Sequence, residues 1–184
     1  MKYSEKYRFK ISVIGDGGVG KTTLIQKFTH GTFQKEYLKT VGAQISDYKK
    51  EINQDKILLL FWDIAGQDDF LFLRPTFYKA SHAVIIVFSL EENDLGKRSF
   101  ENIKKWYEDV QNFCGAIPVV LFANKVDLIN DETINESEIQ NFVKENKFFD
   151  YYITSAKTGQ GVDTAFTDLI ECLYNRYKSM TSEL

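Results

Sequence analysis

Apolar residues recur along this chain in two registers, short unbroken runs and longer stripes spaced by three and one. The run at 9–14 reads as a strand and is followed by a helix over 21–29. Residues 31–42 are polar and turn-rich. A strand follows over 43–52, with Ile45 and Ile52 on opposite faces, and Asn53-Gln54-Asp55 reads as a hairpin turn into a buried strand at 57–62. A weakly structured stretch begins near Ala65 and gives way to a short helix around 69–79. The run at 83–88 is apolar on both faces, as a central parallel strand must be. A helix is expected over 98–113 and a second buried strand at 119–123. Ser137-Glu138-Ile139-Gln140 resembles a capping box opening a helix to about Asn146, and 151–154 reads as the last strand. The final helix carries Val162, Ala165, Phe166, Leu169, Ile170, Leu173, Tyr174 and Tyr177 on one stripe, with Cys172 off it.

Alternating strands and helices predict an α/β fold: a six-stranded, mostly parallel, doubly wound sheet with helices on both faces. Such sheets bind ligands beyond the carboxyl ends of their strands, so residues that do chemistry are expected just after strands. The 184 residues fit one domain over 1–184, with a short lead-in at 1–7 and a flexible tail at 179–184. A hydrophobic content of 43% beside 27% charged residues suits a soluble globular chain. The net charge of -3 offers no general attraction to nucleic acid or an anionic membrane. Cys114 and Cys172 lie in no metal-binding or redox pair and read as reduced thiols, which suits a cytoplasmic protein. No apolar stretch approaches a membrane span, Lys2 excludes myristoylation, and the last residues hold no prenylatable cysteine. The C-terminus therefore does not support membrane attachment, leaving a removed lipidated tail or a partner as routes to a membrane.

The chemistry begins at Gly15-Asp16-Gly17-Gly18-Val19-Gly20-Lys21-Thr22, which fits the phosphate-cradling P-loop between a strand and a helix. Glycines let successive backbone N–H groups turn toward a polyanion, and the helix start adds its positive dipole end, with Thr23 in its first turn. Lys21 supplies a mobile charge for β- and γ-phosphates, and the Thr22 hydroxyl is a hard oxygen suited to Mg²⁺. After the third strand, Asp63 is placed to hold Mg²⁺ through water, Gly66 to bring its backbone N–H to a terminal phosphate, and Gln67 to orient an attacking water. Thr40 either completes the Mg²⁺ shell when a γ-phosphate is present or is an exposed threonine.

Asn124-Lys125-Val126-Asp127 follows the fifth strand. An ionised carboxylate only accepts, so Asp127 matches the two adjacent donors of guanine and is mismatched against adenine. Asn124 can tie this loop to the P-loop, and the Lys125 stem can cover the base. Ser155-Ala156-Lys157 follows the sixth strand; the Ala156 N–H can reach the guanine O6 and Lys157 can pack on the base. Phe33 fits either the base or ribose edge or an ordinary core position.

These motifs, in this order, resemble the Ras superfamily of small GTPases, P-loop NTPases with a small G domain. The match runs from about Tyr7 to Tyr177 and is most similar to the Rab branch: Trp62 before Asp63, Thr40-Val41-Gly42, and Phe77-Tyr78-Lys79-Ala80 with Ala83 beyond. The interval from Asp127 to Ser155 is too short for the Rho insert, Lys2 argues against Arf, and there is no acidic tail as in Ran. Ile64, Asp68-Asp69 and Ile45 depart from the family pattern, which a divergent or prokaryotic relative would fit. The resemblance implies a monomeric switch that binds GTP or GDP with Mg²⁺ and hydrolyses GTP slowly. Switch segments are expected at about 32–45 and 64–80, with an effector, an exchange factor and a GTPase-activating protein as partners. No arginine lies between Thr22 and Arg74, so no upstream arginine is available to speed turnover in cis. Two other readings stand beside this one: an adenine-nucleotide P-loop enzyme, and a nucleotide-binding adaptor without significant hydrolysis.

Overall fold

In a computed structural model, residues 6–33, 40–66, 73–130 and 134–182 are described. Among the described residues there are six strands, β1 (Tyr7–Ile14), β2 (Ala43–Ile52), β3 (Asp55–Ile64), β4 (Ala83–Ser89), β5 (Val119–Asn124) and β6 (Asp150–Thr154). The helices are α1 (Lys21–His30), α2 (Arg74–Tyr78), α3 (Asp94–Glu101), α4 (Ile103–Cys114), α5 (Glu136–Glu145) and α6 (Val162–Ser182). One sheet holds the strands in the order β2-β3-β1-β4-β5-β6. Only the β2–β3 pair is antiparallel; β1 runs parallel to β3 and β4, β4 to β5, and β5 to β6. The carboxyl ends of β1, β3, β4, β5 and β6 therefore share one edge.

Side-chain alternation divides the core into two layers. Ile11 and Val13 of β1 and Ile85 and Val87 of β4 face α1 and α6, where the predicted stripe from Val162 to Tyr174 is buried and Tyr177 packs partly buried against it. Val84, Ile86 and Phe88 point the other way, onto Ile103, Trp106 and Val110 of α4 and Ile139 and Val143 of α5. Helices thus cover both faces, as the alternation of elements requires. The predicted hairpin turn is one residue shorter than expected. Asn53 and Gln54 adopt positive φ, and Asp55 already pairs with Ile52.

Other boundaries also differ from the sequence reading. The helix expected over 98–113 starts earlier, where Asn93 caps α3 by accepting from the Gly96 N–H at 3.0 Å, and it is interrupted at Asn102. Hydrogen bonds from Asn102 N to Arg98 O and from Trp106 N to Asn102 O span the interruption. The capping box of α5 sits two residues earlier than Ser137. Asn135 accepts from the Glu138 N–H, and its amide donates to the Glu138 carboxylate at 3.0 Å. Residues 179–182, read as tail, continue α6, with the Thr181 hydroxyl donating to the Tyr177 carbonyl. Among the described residues no helix is long and apolar enough to cross a membrane.

Candidate functional site

The loop between β1 and α1 is pinned from both sides. A side chain at Gly15 would place its Cβ 2.1 Å from the Val87 carbonyl oxygen of β4. Gly20 has φ +101, and a Cβ there would lie 2.3 Å from the Asn124 amide nitrogen. Left-handed backbone and close approach together demand glycine at that position. The Val19 side chain is buried in the core, and its carbonyl accepts from Asn124 Nδ2 at 2.8 Å. The tie expected between the guanine-type loop and the P-loop is therefore present. The first helical bond of α1 runs from Leu24 N to Gly20 O, so the N–H groups of Lys21, Thr22 and Thr23 precede it and face an anion-favouring helix start. No acidic side chain occupies that first turn.

Lys21 is buried and folded back on the loop, donating to the carbonyls of Gly15 and Asp16 at 2.8 Å each. Burial lowers its pKa to about 8, against the opposing charges of Asp63 and Asp16. The Asp16 side chain does not turn into the loop. Its carboxylate accepts from Asn102 Nδ2 at 2.7 Å and Trp106 Nε1 at 2.8 Å. Only the backbone of Asp16 is left for a phosphate role. Arg74 is also buried and engaged, 4.0 Å from the Trp106 ring centroid and 3.2 Å from Asp109 Oδ2. One face of α4, through Trp106 and Asp109, together with Asn102 at the break before it, thus ties the phosphate loop to α2.

The three residues expected at a metal come together. Thr22 Oγ1 donates to Asp63 Oδ2 and lies 3.1 Å from Thr40 Oγ1, whose hydroxyl donates to Asp63 Oδ2 at 3.2 Å. Asp63 is buried, and its other oxygen, Oδ1, has no hydrogen-bond partner among the described residues. An unpartnered buried carboxylate oxygen beside two hydroxyls is a hard-oxygen set that fits Mg²⁺. Gly66 packs on the loop itself: a Cβ there would lie 2.4 Å from Gly15 O and 2.5 Å from Gly17 N. Gly17 is the opposite case, since a Cβ added to it meets nothing within 4 Å among the described residues. Gln67, with Asp68 and Asp69, lies outside the described residues, as do residues 34–39 of the expected first switch segment.

At the ends of β5 and β6 the polar groups interlock. Asn124 is buried, and its Oδ1 accepts from the Ala156 N–H at 3.2 Å and from the Thr154 hydroxyl at 3.3 Å. The Ala156 N–H considered for the guanine O6 is thus engaged by Asn124 in this structure. Asp127 sits in a single 3-10 turn, Val126–Leu128, preceded by Lys125 at φ 71. Ser155 Oγ donates to Asp127 Oδ1 at 2.6 Å, and Lys157 Nζ lies 3.4 Å from Asp127 Oδ2. Phe33 is exposed, which removes the core alternative for it.

Sequence reasoning missed Asn102, Trp106 and Glu91. Glu91 lies just past β4, and its Oε2 accepts from Lys125 Nζ at 2.5 Å. Burial alone would raise the Glu91 carboxyl. The hydrogen bonds from Lys125 and Ser89, with the Lys125 charge, outweigh it and hold the group below the usual carboxylate value. The rule that chemistry follows strand ends would have flagged Glu91, because β4 was the central strand whose end had no candidate.

Comparison with known proteins agrees with this geometry. The profile described as the Ras family matches residues 10–175. Ras-related protein Rab-32C of Dictyostelium discoideum is 32% identical over 178 residues, covering 95% of this chain and 77% of that protein. Ras-related protein Rab-32 of Sus scrofa is 33% identical over 188 residues, covering 98% and 80%. Ras-related protein Rab-1 of Theileria annulata is 31% identical over 172 residues, covering 92% and 76%. With five parallel strands ending at one edge and the phosphate, metal and base motifs gathered there, this chain belongs to the Ras family of small GTPases, on its Rab-like side.

Proposed function

We propose that this protein is a GTP-binding molecular switch that hydrolyses GTP slowly to GDP and phosphate, in Rab-like trafficking or signalling. The observation that carries the reading is the Asp127 carboxylate, held by Ser155 at 2.6 Å beside a loop that Asn124 fastens to the P-loop. A fixed acceptor-only group selects guanine by its two donors, and leaves a charge unpaired against adenine. The bond between Asn124 and Val19 sets the distance from base to phosphates.

The phosphates lie along the loop amides and the start of α1, with Lys21 turning from the Gly15 and Asp16 carbonyls to their charge. Thr22 and Thr40, with Asp63 through water, would hold Mg²⁺, which when bound would supply neutralisation of phosphate charge. Gln67 orients the attacking water, and the Gly66 N–H donates to the γ-phosphate. Arg74 is committed to Trp106 and Asp109, so intrinsic turnover is slow and a GTPase-activating partner supplies the missing charge. Release of Thr40 and Gly66 after hydrolysis changes residues 32–45 and 64–80 and, with them, the effector surface.

Labelled GTP challenged with ATP or GTP tests the binding: only GTP competes well, and equal competition refutes the role of Asp127. Single-turnover hydrolysis by wild type and Gln67→Leu tests the chemistry. The variant binds and does not turn over; equal rates remove Gln67 from the reaction. Hydrogen exchange over residues 32–45 and 64–80 differs between GDP and GTP-analogue forms if the protein is a switch, and is identical if it is not.

A further inference from the structure

The turn after β4 is built as tightly as the motifs on either side of it. Ser89 pairs with Asn124 in the β4–β5 register, and the Leu90 N–H donates to the Asn124 carbonyl at 2.8 Å. The sheet therefore sets where Glu91 lies relative to Lys125. A single oxygen of Glu91, Oε2, accepts from Ser89 Oγ at 2.9 Å and from Lys125 Nζ at 2.5 Å. The first turn of α3 closes on the same segment. A Cβ on Gly96 would sit 1.8 Å from the Glu91 carbonyl oxygen, so only glycine permits the contact. Leu95 of α3 reaches the phosphate loop, its Cδ2 lying 3.5 Å from the position of a Cβ on Gly18.

Lys125 is the residue before the turn that carries Asp127, and its backbone is left-handed. Its stem is long and has many rotamers, and ordering such a side chain costs free energy on each binding event. Glu91 removes that cost in advance. The two charges are each about one-fifth exposed (22% and 20%), and the Ser89 hydroxyl orients the acceptor, which distinguishes the pair from a solvated surface ion pair.

We propose that Glu91 is a positioning residue of the guanine pocket: by fixing the Lys125 ammonium it holds the lysine stem in one place and lengthens the residence time of the bound nucleotide. The inference rests on the GTP-binding reading and deepens it. It separates Lys125 from a lysine that is merely adjacent to the base, because its position is set by an acid from the turn after β4.

The test is release of GDP carrying a fluorophore on its ribose, chased with excess unlabelled GDP. Four proteins are compared: wild type, Glu91→Gln, Lys125→Met and the double variant. Glu91→Gln keeps size and removes charge, and release is expected to accelerate about two- to tenfold, the range for re-ordering one long side chain. Because Glu91 acts through Lys125, the double variant releases GDP no faster than Lys125→Met. Ser89→Ala, which removes only the orienting hydroxyl, shifts release in the same direction by less. An unchanged rate in Glu91→Gln overturns the proposal. So does an equal acceleration in the Lys125→Met background, since loop packing alone would produce that. If wild type retains no GDP, the guanine reading itself falls and the inference falls with it.

Discussion

The base end and the phosphate end of this site are built on opposite plans. At the base end, Asn124, Asp127, Ser155, Lys125 and Glu91 are bonded to one another or to backbone. At the phosphate end, among the described residues, Asp63 Oδ1 is buried without a partner and the Lys21 ammonium is bonded to two backbone carbonyls, those of Gly15 and Asp16. A buried polar group without a partner costs about 1–3 kcal/mol, whereas satisfied ones cost little. The folded chain thus builds the base pocket at little cost in itself. The phosphate end keeps a deficit, which under the proposed function a bound ion and polyanion would relieve. On that reading specificity resides in the prebuilt part, and responsiveness in the unsatisfied part.

The sharpest way to break this contrast is Asp127→Asn. An amide presents a donor where guanine needs an acceptor, and GTP affinity falls roughly 10⁴-fold while xanthine nucleotides gain. Competition binding measures it, and unchanged GTP affinity would dissolve the base end as defined here. Next is the metal. Chelating Mg²⁺ accelerates GDP release about 10- to 100-fold in wild type, and Asp63→Ala removes most of that sensitivity. Release rates with and without chelator decide it; a variant that responds like wild type would place the ion elsewhere.

Asn124→Ala attacks the join between the two ends. It leaves the Val19 carbonyl and Ala156 N–H without their partner, at a cost of about 1–3 kcal/mol in stability read from denaturant unfolding. Nucleotide affinity falls with it, whereas stability loss with unchanged affinity would mean the two ends are independent. The smallest expected change in stability belongs to Gly17→Val. A Cβ there meets nothing within 4 Å among the described residues, so stability is expected to shift by no more than about 0.5 kcal/mol. Hydrolysis suffers more than binding in that variant, because the space is used only during the reaction. A large drop in unfolding free energy would show that the space belongs to the fold.

The same contrast explains what could be read from the residues alone. Short runs such as 83–88 and 119–123 are apolar on both faces because helices cover both sides of the sheet, and periodicity reports that directly. The P-loop and the Asn124–Asp127 segment are legible because each is a local strand–turn–helix or strand–turn unit. Asn102, Trp106 and Glu91 are not local. Asp16 meets Trp106 across 90 positions of chain, and Lys125 meets Glu91 across 34. No spacing rule along one segment contains such a pair. Asn102 misled for a related reason: in sequence it continues a helical pattern, but its side chain is held by the phosphate loop and the helix is interrupted there. The α5 cap shows a simpler error, in which Asn135 was a better acceptor than Ser137 and stood at the spacing that reaches Glu138.

The pairing of Asp16 with the Trp106 indole makes the protein its own optical reporter. The chain has two tryptophans. Trp106 emits from beside a carboxylate of the phosphate loop and under the guanidinium of α2. Trp62 emits from β3, with the Lys10 ammonium 3.8 Å from its ring centroid and Phe77 of α2 beside it. Indole emission responds to nearby charge. Among the described residues both indoles touch α2 but only Trp106 touches the loop, so a movement of α2 alone would register at Trp62, and loading of the loop at Trp106. Replacing either tryptophan by phenylalanine leaves a single-colour sensor, and stopped-flow traces of the two variants would time the two events without any attached dye.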